Sequence, residues 1–129
     1  MSVDGALADT SLLIGWEQQR FSSHEMPKTL AVSAVTIGEL KLGVLSATDP
    51  HIRAARLRTL AKALALNPLP VDDVVSDAWA ELRITLRDIG RKLAANDSWI
   101  AATALAYQLP LATRDADYDD IPGLNVIKL

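Results

Sequence analysis

The chain has 129 residues, half of them apolar, and a formal net charge of -3 at pH 7. This length suits one domain over residues 1–129, and the lack of cysteine excludes disulfides, thiol nucleophiles and thiolate zinc sites. Neither of the two histidines, His24 and His51, lies in an obvious catalytic context, so we expect any chemistry to depend on carboxylates.

Short apolar or β-branched segments alternate with amphipathic ones, which predicts strands alternating with helices. We predict five strands, one ending at Asp9 and the others over 30–35, 67–71, 111–113 and 124–127. Five helices are predicted. The first covers residues 12 to about 20, and the second runs from Thr36 to Gly43 or soon after. The third begins at Pro50, the fourth begins after Asp72 or Asp73, and the fifth runs from Asn96 or Asp97 to about Tyr107. The expected cap of the first helix is Thr10 or Ser11, and that of the second is Thr36.

This alternation predicts an α/β fold, a three-layer α/β/α sandwich around a central, mainly parallel sheet of about five strands. Ligands of such sheets bind beyond the carboxyl ends of the strands, where the strand order reverses. Asp9 ends the first predicted strand and Asp115 follows the fourth. Glu39 lies one turn into the helix after the second strand, and Asp97 starts the helix before the fourth. These acids are candidates for one site, although their spacing alone does not establish that they meet.

Carboxylates that are confined to a small volume need a compensating positive charge. The charges repel one another unless the groups bind protons or a cation neutralises them. Oxygen ligands favour magnesium or manganese over zinc. Such a cation can polarise a phosphate and activate a water molecule for in-line attack. If the acids converge, phosphodiester hydrolysis is therefore the expected reaction.

Four segments resemble, in the same order, the four motifs of PIN domains. They are Asp9-Thr10-Ser11, residues 35–40 (VTIGEL) followed by Gly43, residues 96–104 (NDSWIAATA) and residues 111–118 (LATRDADY). The resemblance covers nearly the whole chain, and the subgroup that it resembles most is the VapC-like ribonuclease toxins of type II toxin–antitoxin pairs. It implies a PIN-like fold and a metal-dependent endoribonuclease.

The resemblance also implies roles for the acids at the matching positions. The catalytic and metal-binding residues would be Asp9, Glu39, Asp97 and Asp115. Asp9 and Asp97 would be direct ligands of Mg²⁺, or alternatively of Mn²⁺. The other two acids would act through water molecules or would position the attacking water.

Several neighbouring residues would support these acids. Thr10, Ser11 and Thr113 could donate hydrogen bonds to them or to nearby water molecules. Asp117 extends the last motif and is a candidate for a supporting role, with a solvated turn as the alternative. The family often has phenylalanine where this chain has Tyr118, which is a departure from the pattern.

The cationic residues are candidates for contacts with RNA phosphates. Lys41 and Arg114 are the best candidates because each flanks a proposed acid. The segment 51–71 has four cations and no carboxylate, namely Arg53, Arg56, Arg58 and Lys62. We interpret these four as an exposed helix face, with RNA binding as the alternative.

The aromatic residues allow two interpretations as well. Trp79, Trp99 and Tyr107 are predicted to pack in the core or in a dimer interface, and stacking on bases is the alternative. Trp16, at the end of the first helix, could contact a partner protein or be partly buried.

The first hypothesis is therefore a type II toxin that hydrolyses RNA with a metal-activated water and no covalent intermediate. The resemblance implies 5′-phosphate and 3′-hydroxyl products, a homodimer, and a cognate antitoxin that covers the groove with its C-terminal segment and forms a hetero-oligomer. No signal peptide and no apolar stretch long enough to cross a bilayer is visible, so we expect a cytoplasmic protein without membrane association.

Two other functions remain open. A catalytically silent PIN-fold binding module would hold a partner without cutting RNA. An aspartyl-phosphate domain, such as a receiver, also places acids at strand ends. It requires a suitably placed lysine after a later strand, where this chain has Arg114 after Thr113.

Overall fold

The computed structural model describes residues 5–129, and this part of the chain contains four strands and five α-helices. The strands are β1 (Gly5–Ala8), β2 (Thr29–Val32), β3 (Leu111–Thr113) and β4 (Val126–Lys128). The helices are α1 (Thr10–Glu17), α2 (Ala34–Ser46), α3 (Pro50–Leu64), α4 (Asp73–Asp88) and α5 (Ala95–Ala106). Single 3₁₀ turns at Ser23–Glu25 and Ala116–Tyr118 precede β2 and follow β3.

The strands form one parallel sheet in the order β2-β1-β3-β4. β1 pairs with β2 along its whole length, and on its other side Leu7 and Ala8 pair with Leu111 and Ala112 of β3. The strand order therefore reverses between β1 and β3. The carboxyl ends of these two strands lie side by side, which is where a ligand of such a sheet binds.

Side chains of the central strands alternate between two apolar layers. Leu7 and Leu111 pack with α4 and α5, whereas Ala8 and Ala112 pack with α1, α2 and α3. Both layers contain fully buried residues, so helices cover the two faces of the sheet. The predicted three-layer α/β/α fold is confirmed.

The predicted packing of the aromatic residues is confirmed for Trp79 and Trp99. Their rings stack with centroids 4.4 Å apart, and they pack against the core of α4 and α5. The indole N–H of Trp79 donates to the Ser98 hydroxyl at 3.0 Å. Tyr107, in contrast, is exposed.

The sheet has four strands within residues 5–129 rather than the predicted five. Leu69, in the middle of the segment 67–71, forms only an isolated parallel bridge with Ser33 beside β2. Its N–H donates to the carbonyl of Val32 at 2.8 Å. The flanking residues Pro68 and Pro70 have no N–H, so the pairing cannot continue along this segment.

Two predicted helix starts were wrong because other residues are the caps. β2 ends at Val32, and the hydroxyl of Ser33 accepts from the N–H of Val35, so α2 begins before Thr36. Asp9 is the N-cap residue of α1, although its carboxylate makes no capping hydrogen bond. The carboxylate is held instead by side-chain hydroxyls, as described below. None of the helices within residues 5–129 has the length and apolarity needed to span a membrane.

Candidate active site

Four acidic side chains lie near the carboxyl ends of the two central strands. Asp9 directly follows β1, Asp115 follows β3 by two residues, Glu39 is on α2 and Asp97 is in the first turn of α5. The charges of the other three all raise the pKa of Asp97, so the four acids share one region. No lysine or arginine within residues 5–129 forms an ion pair with any of them.

Asp9 is held by three hydroxyl groups. Its carboxylate is nearly buried, with 2% of the residue exposed. Ser11 and Thr113 donate to Oδ2 at 2.7 and 2.8 Å, and Tyr118 donates to Oδ1 at 3.1 Å. Burial of a charge is tolerated when hydrogen bonds replace the lost water. These donors come from α1, from β3 and from the turn after it, so the acid joins three segments of the chain.

Tyr118 is a part of the site that the sequence analysis did not assign. Its side chain is fully buried, and its hydroxyl oxygen lies 3.1 Å from Oδ1 of Asp9 and 3.0 Å from Oδ1 of Asp97. Burial first, and then the charges of these two acids, raise the pKa of Tyr118 well above its ordinary value. The phenol therefore keeps its single proton and can donate it to either carboxylate. The only signal in the sequence was the tyrosine at a position where the family often has phenylalanine.

Glu39 is positioned by a second set of hydroxyls. Thr10 donates to Oε1 of Glu39 at 2.7 Å, and the Thr10 hydroxyl lies 3.0 Å from that of the buried Thr36. Thr10 is the first residue of α1, and Thr36 is in the first turn of α2. This contact therefore holds the starts of the two helices together and fixes the acid relative to Asp9.

Two carboxylates of the loop after β3 lie close to Asp97. One oxygen from each of Asp97, Asp115 and Asp117 lies within 4.8 Å of the others. Asp115 accepts from the N–H of Asp117 at 2.9 Å, and the hydroxyl of Thr113 accepts from the N–H of Asp115 at 3.0 Å. Oxygen donors at this separation can share a hard divalent cation. These three residues therefore fit a site for a hard divalent cation. The group includes Asp117, which was expected only in a supporting role, and it does not include Asp9 or Glu39.

Electrostatic repulsion at the site is clearest at Asp97. Burial is the main cause of its raised pKa, and the charges of Asp9, Asp115 and Glu39 add to it. The hydrogen bond from Tyr118 opposes the shift. A bound proton or a bound cation would each relieve this repulsion between like charges.

Comparisons with known proteins identify the family. Residues 6–124 match the family model described as PIN domain. Ribonuclease VapC4 of Mycobacterium tuberculosis is 45% identical over 130 residues, which cover all of both chains. Ribonuclease VapC5 of the same organism is 40% identical over 94% of this chain and 90% of its own. The chain belongs to the VapC ribonucleases of the PIN-domain family.

Solved structures share this fold, and one of them is a member of a family of toxin–antitoxin systems. A chain in the crystal structure of VapBC-5, a member of the VapBC family of toxin–antitoxin systems from M. tuberculosis, has a TM-score of 0.87 and 37% identity. The match covers 98% of this chain and all of that one. A chain of FitAcB from Neisseria gonorrhoeae has a TM-score of 0.78 and 27% identity over 95% of this chain and 96% of its own. The PIN-like architecture predicted from the motifs is thus confirmed.

The two cations proposed for RNA binding in this VapC-type chain lie in different surroundings. Lys41 is exposed on α2, two residues after Glu39. Arg114 is half-buried between Thr113 and Asp115. Its backbone N–H donates to the Ser11 hydroxyl at 3.3 Å. Each of the two residues is therefore close in sequence to an acid of the site, and its role in RNA binding stays a prediction.

Asp97→Asn should increase the stability of the metal-free protein. In the folded state the pKa of Asp97 is above its ordinary value, so ionisation favours the unfolded chain as the pH rises from about 4 through the folded pKa. Asparagine removes this loss while its amide oxygen still accepts from Tyr118. We expect a gain on the order of 0.5 kcal/mol in the free energy of unfolding at pH 7, since the group is partly exposed and screened.

The measurement is urea unfolding in EDTA at several pH values, with Asp88→Asn on the exposed face of α4 as the matched control. The difference between wild type and Asp97→Asn should shrink towards zero below pH 4. A difference that is independent of pH would contradict the electrostatic explanation.

Proposed function

We propose that the chain is the ribonuclease toxin of a type II toxin–antitoxin pair and that it hydrolyses RNA phosphodiester bonds within the strand. The observation that carries this proposal is the convergence of Asp9, Glu39, Asp97 and Asp115 at the carboxyl ends of β1 and β3, without an ion-pair partner within residues 5–129. The family supports it, since VapC4, which matches the whole chain, and VapC5, which matches 94% of it, are ribonucleases by name.

A divalent metal ion, Mg²⁺ or alternatively Mn²⁺, would be held by Asp9 and Asp97, with Asp115 and Glu39 contributing through water molecules. When bound, it supplies Lewis-acid polarisation of the phosphate and lowers the pKa of a water molecule. Carboxylate oxygens have about four lone-pair sites. Asp9 therefore retains ligand capacity after it accepts hydrogen bonds from Ser11, Thr113 and Tyr118.

The other residues of the site would orient water and substrate. Glu39 is fixed through Oε1 by Thr10, which suits it to accept a proton from the attacking water. Asp117 lies beside Asp115 and would hold water molecules of the metal's hydration shell. Hydrolysis by direct attack of water needs no nucleophilic side chain. It yields the 5′-phosphate and 3′-hydroxyl ends that the resemblance implies.

Asp9→Asn and Asp97→Asn should each abolish RNA cleavage in Mg²⁺ while the fold survives. An amide is a neutral and weaker ligand than a carboxylate, but it keeps the shape and the accepting oxygen. We expect a loss of at least about 100-fold in the rate, measured with a fluorescent single-stranded RNA after removal of contaminating nuclease.

Asp88→Asn is the matched control, because it makes the same chemical change at an exposed position where the carboxylate pairs with Arg87 and not with the acids of the site. Full activity in either site variant would contradict the proposal. An inactive wild-type protein that still bound RNA and metal would favour the silent binding module.

Tyr118→Phe should weaken metal binding, because the hydroxyl that contacts both Asp9 and Asp97 is lost while the ring still fills the core. Residues that orient metal ligands typically change affinity by 10- to 100-fold. We expect an increase of about 10-fold or more in the dissociation constant for Mn²⁺, measured by electron paramagnetic resonance without RNA.

Tyr107→Phe is the matched control, since its hydroxyl is exposed and lies 3.3 Å from Asp72. Unchanged Mn²⁺ affinity in Tyr118→Phe, with wild-type affinity in the control, would show that the tyrosine does not position the ligands.

A groove next to the acids is where we place the antitoxin. A cavity of about 630 Å³ runs between α1, α2 and α3, with Glu39 at one end and the exposed apolar residues Ile14, Leu42 and Ile52 along it. An apolar segment of the antitoxin would cover these residues and would place an arginine or lysine against the acids. Structures of the same fold from a member of a toxin–antitoxin family and from a toxin–antitoxin complex support such a partner. A homodimer, as the resemblance implies, is part of the same proposal.

Replacing Leu42 and Ile52 together with glutamine should weaken antitoxin binding, because both side chains lose apolar contact area without a change of charge. The probe is the purified product of the small gene adjacent to that of the toxin, and the readout is isothermal titration calorimetry. Ile84→Gln on α4, also exposed, is the control. Wild-type affinity in the double variant would place the antitoxin elsewhere.

A further inference from the structure

A second, more polar cavity lies beside the groove and has no role in the function described so far. It has a volume of about 350 Å³ and is formed by the end of α1, the loop after it and α3. Trp16 and Phe21 contribute aromatic rings to its lining, and Arg58 and Lys62 contribute positive charges. It shares Glu17 with the apolar groove, so the two cavities adjoin.

The structure divides the four cations of α3 into two pairs. Arg53 donates to the carbonyl of Ala47 at 2.6 Å, and Arg56 donates to that of Gly43 at 2.7 Å. These two arginines thus tie α3 to the end of α2. Arg58 and Lys62 are the two that line the cavity, and both are exposed.

The lining combines an aromatic ring, cations and a fixed hydrogen-bond acceptor. The Lys62 ammonium lies over the Trp16 ring, 4.3 Å from its centre, so a base that stacks there would take the place of the ammonium and leave it to bind phosphate. The hydroxyl of Thr59 donates to the carboxylate of Glu17 at 2.6 Å and so fixes its position. This set matches the three parts of a nucleotide, because cations bind phosphate, an indole stacks on a base, and a carboxylate accepts from base amino or ribose hydroxyl groups.

Arg114 connects the cavity to the acidic site. Its neighbour in the chain is Asp115, and its guanidinium lies 5.9 Å from the centre of the Phe21 ring, which lines the cavity. The side chain crosses α1 at Gly15, where an added Cβ would lie only 2.7 Å from the Arg114 Cδ. A further cavity of about 470 Å³ between the two regions is lined by Arg114 and Arg20 as well as by Asp115.

We propose that the cavity at Trp16 and Lys62 binds one nucleotide of the RNA strand, and that the strand reaches it from the acidic site across Arg114. The proposal rests on the ribonuclease function proposed above. Thr10, beside the acids, and Trp16 are six residues apart on α1, about 9 Å along the helix axis, so the nucleotide lies close to the scissile bond. The adjoining groove, with Leu42 and Ile52 exposed, suits a protein segment better, and RNA is the occupant that fits the cationic cavity.

The role of the two cations that line the cavity is tested by the double variant Arg58→Met and Lys62→Met. Affinity for a short fluorescein-labelled single-stranded RNA is measured by fluorescence anisotropy in EDTA, which stops metal-dependent cleavage, at several salt concentrations. Loss of two phosphate contacts should reduce the slope of log affinity against log salt by about 1.4. The control is Arg87→Met with Lys92→Met, which removes the same charge near the end of α4 and does not touch this cavity.

The role of the Trp16 ring is tested separately. Trp16→Leu should weaken RNA binding by about 5-fold or more, and Trp16→Phe should retain most of the affinity because its ring still stacks. If Trp16→Leu does not fold, as judged by circular dichroism, the double charge variant decides the matter. In Mg²⁺, the variants should raise KM more than they lower kcat, because the cavity lies outside the acidic site.

Equal affinity and equal salt slope in the two double variants would overturn the nucleotide site. So would a loss of antitoxin binding with RNA binding unchanged, since this would assign the cavity to the protein partner. If the wild-type protein neither binds nor cleaves RNA, the ribonuclease proposal itself fails. If it cleaves RNA and all cavity variants behave as wild type, only this inference fails.

Discussion

The structure depends on how a buried carboxylate, Asp9, is held beside other acids of the same charge. Hydroxyl groups stabilise this carboxylate, because each can donate a hydrogen bond to a negative charge without neutralising it. Ser11, Thr113 and Tyr118 surround Asp9, and Tyr118 also contacts Asp97. An arginine or lysine in their place would satisfy the charge and would remove the need for a metal ion. The choice of neutral donors therefore leaves the site negative enough to attract a divalent cation.

The first helix, α1, contributes to the acidic site, the apolar groove and the cationic cavity. Its first residue, Thr10, fixes Glu39 at the acidic site, Ile14 lies along the apolar groove, and Trp16 lines the cationic cavity. Because the helix is short and begins directly after β1, these regions are held at fixed distances from the end of the sheet. A protein partner in the groove would then lie next to the proposed path of the RNA strand. Such a partner could inhibit the site without a change in the fold, because a protein segment bound in the groove lies beside the acids.

Fold class and family could be predicted from the sequence because both depend on local patterns. Apolar strands alternate with helices, and the four PIN motifs occur in order, so the three-layer architecture followed from short-range information. The errors concern the edge of the sheet and the starts of α1 and α2. The segment around Leu69 looked like a strand, yet its prolines limit it to a single bridge beside β2. Asp9 caps α1 only by its position in the chain, since its carboxylate is engaged by hydroxyls from distant segments.

The sequence by itself determined the kind of chemistry, since no cysteine is present and the acids follow the motifs of one family. Tertiary structure alone decided which side chains meet. Tyr118 is separated from Asp9 by 109 residues and is recognisable as a partner only when the turn after β3 folds against β1. Likewise, Arg53 and Arg56 are equivalent in sequence to Arg58 and Lys62, but the packing of α3 on α2 engages only the first two. Contacts of this kind depend on the relative placement of distant elements, which no local pattern specifies.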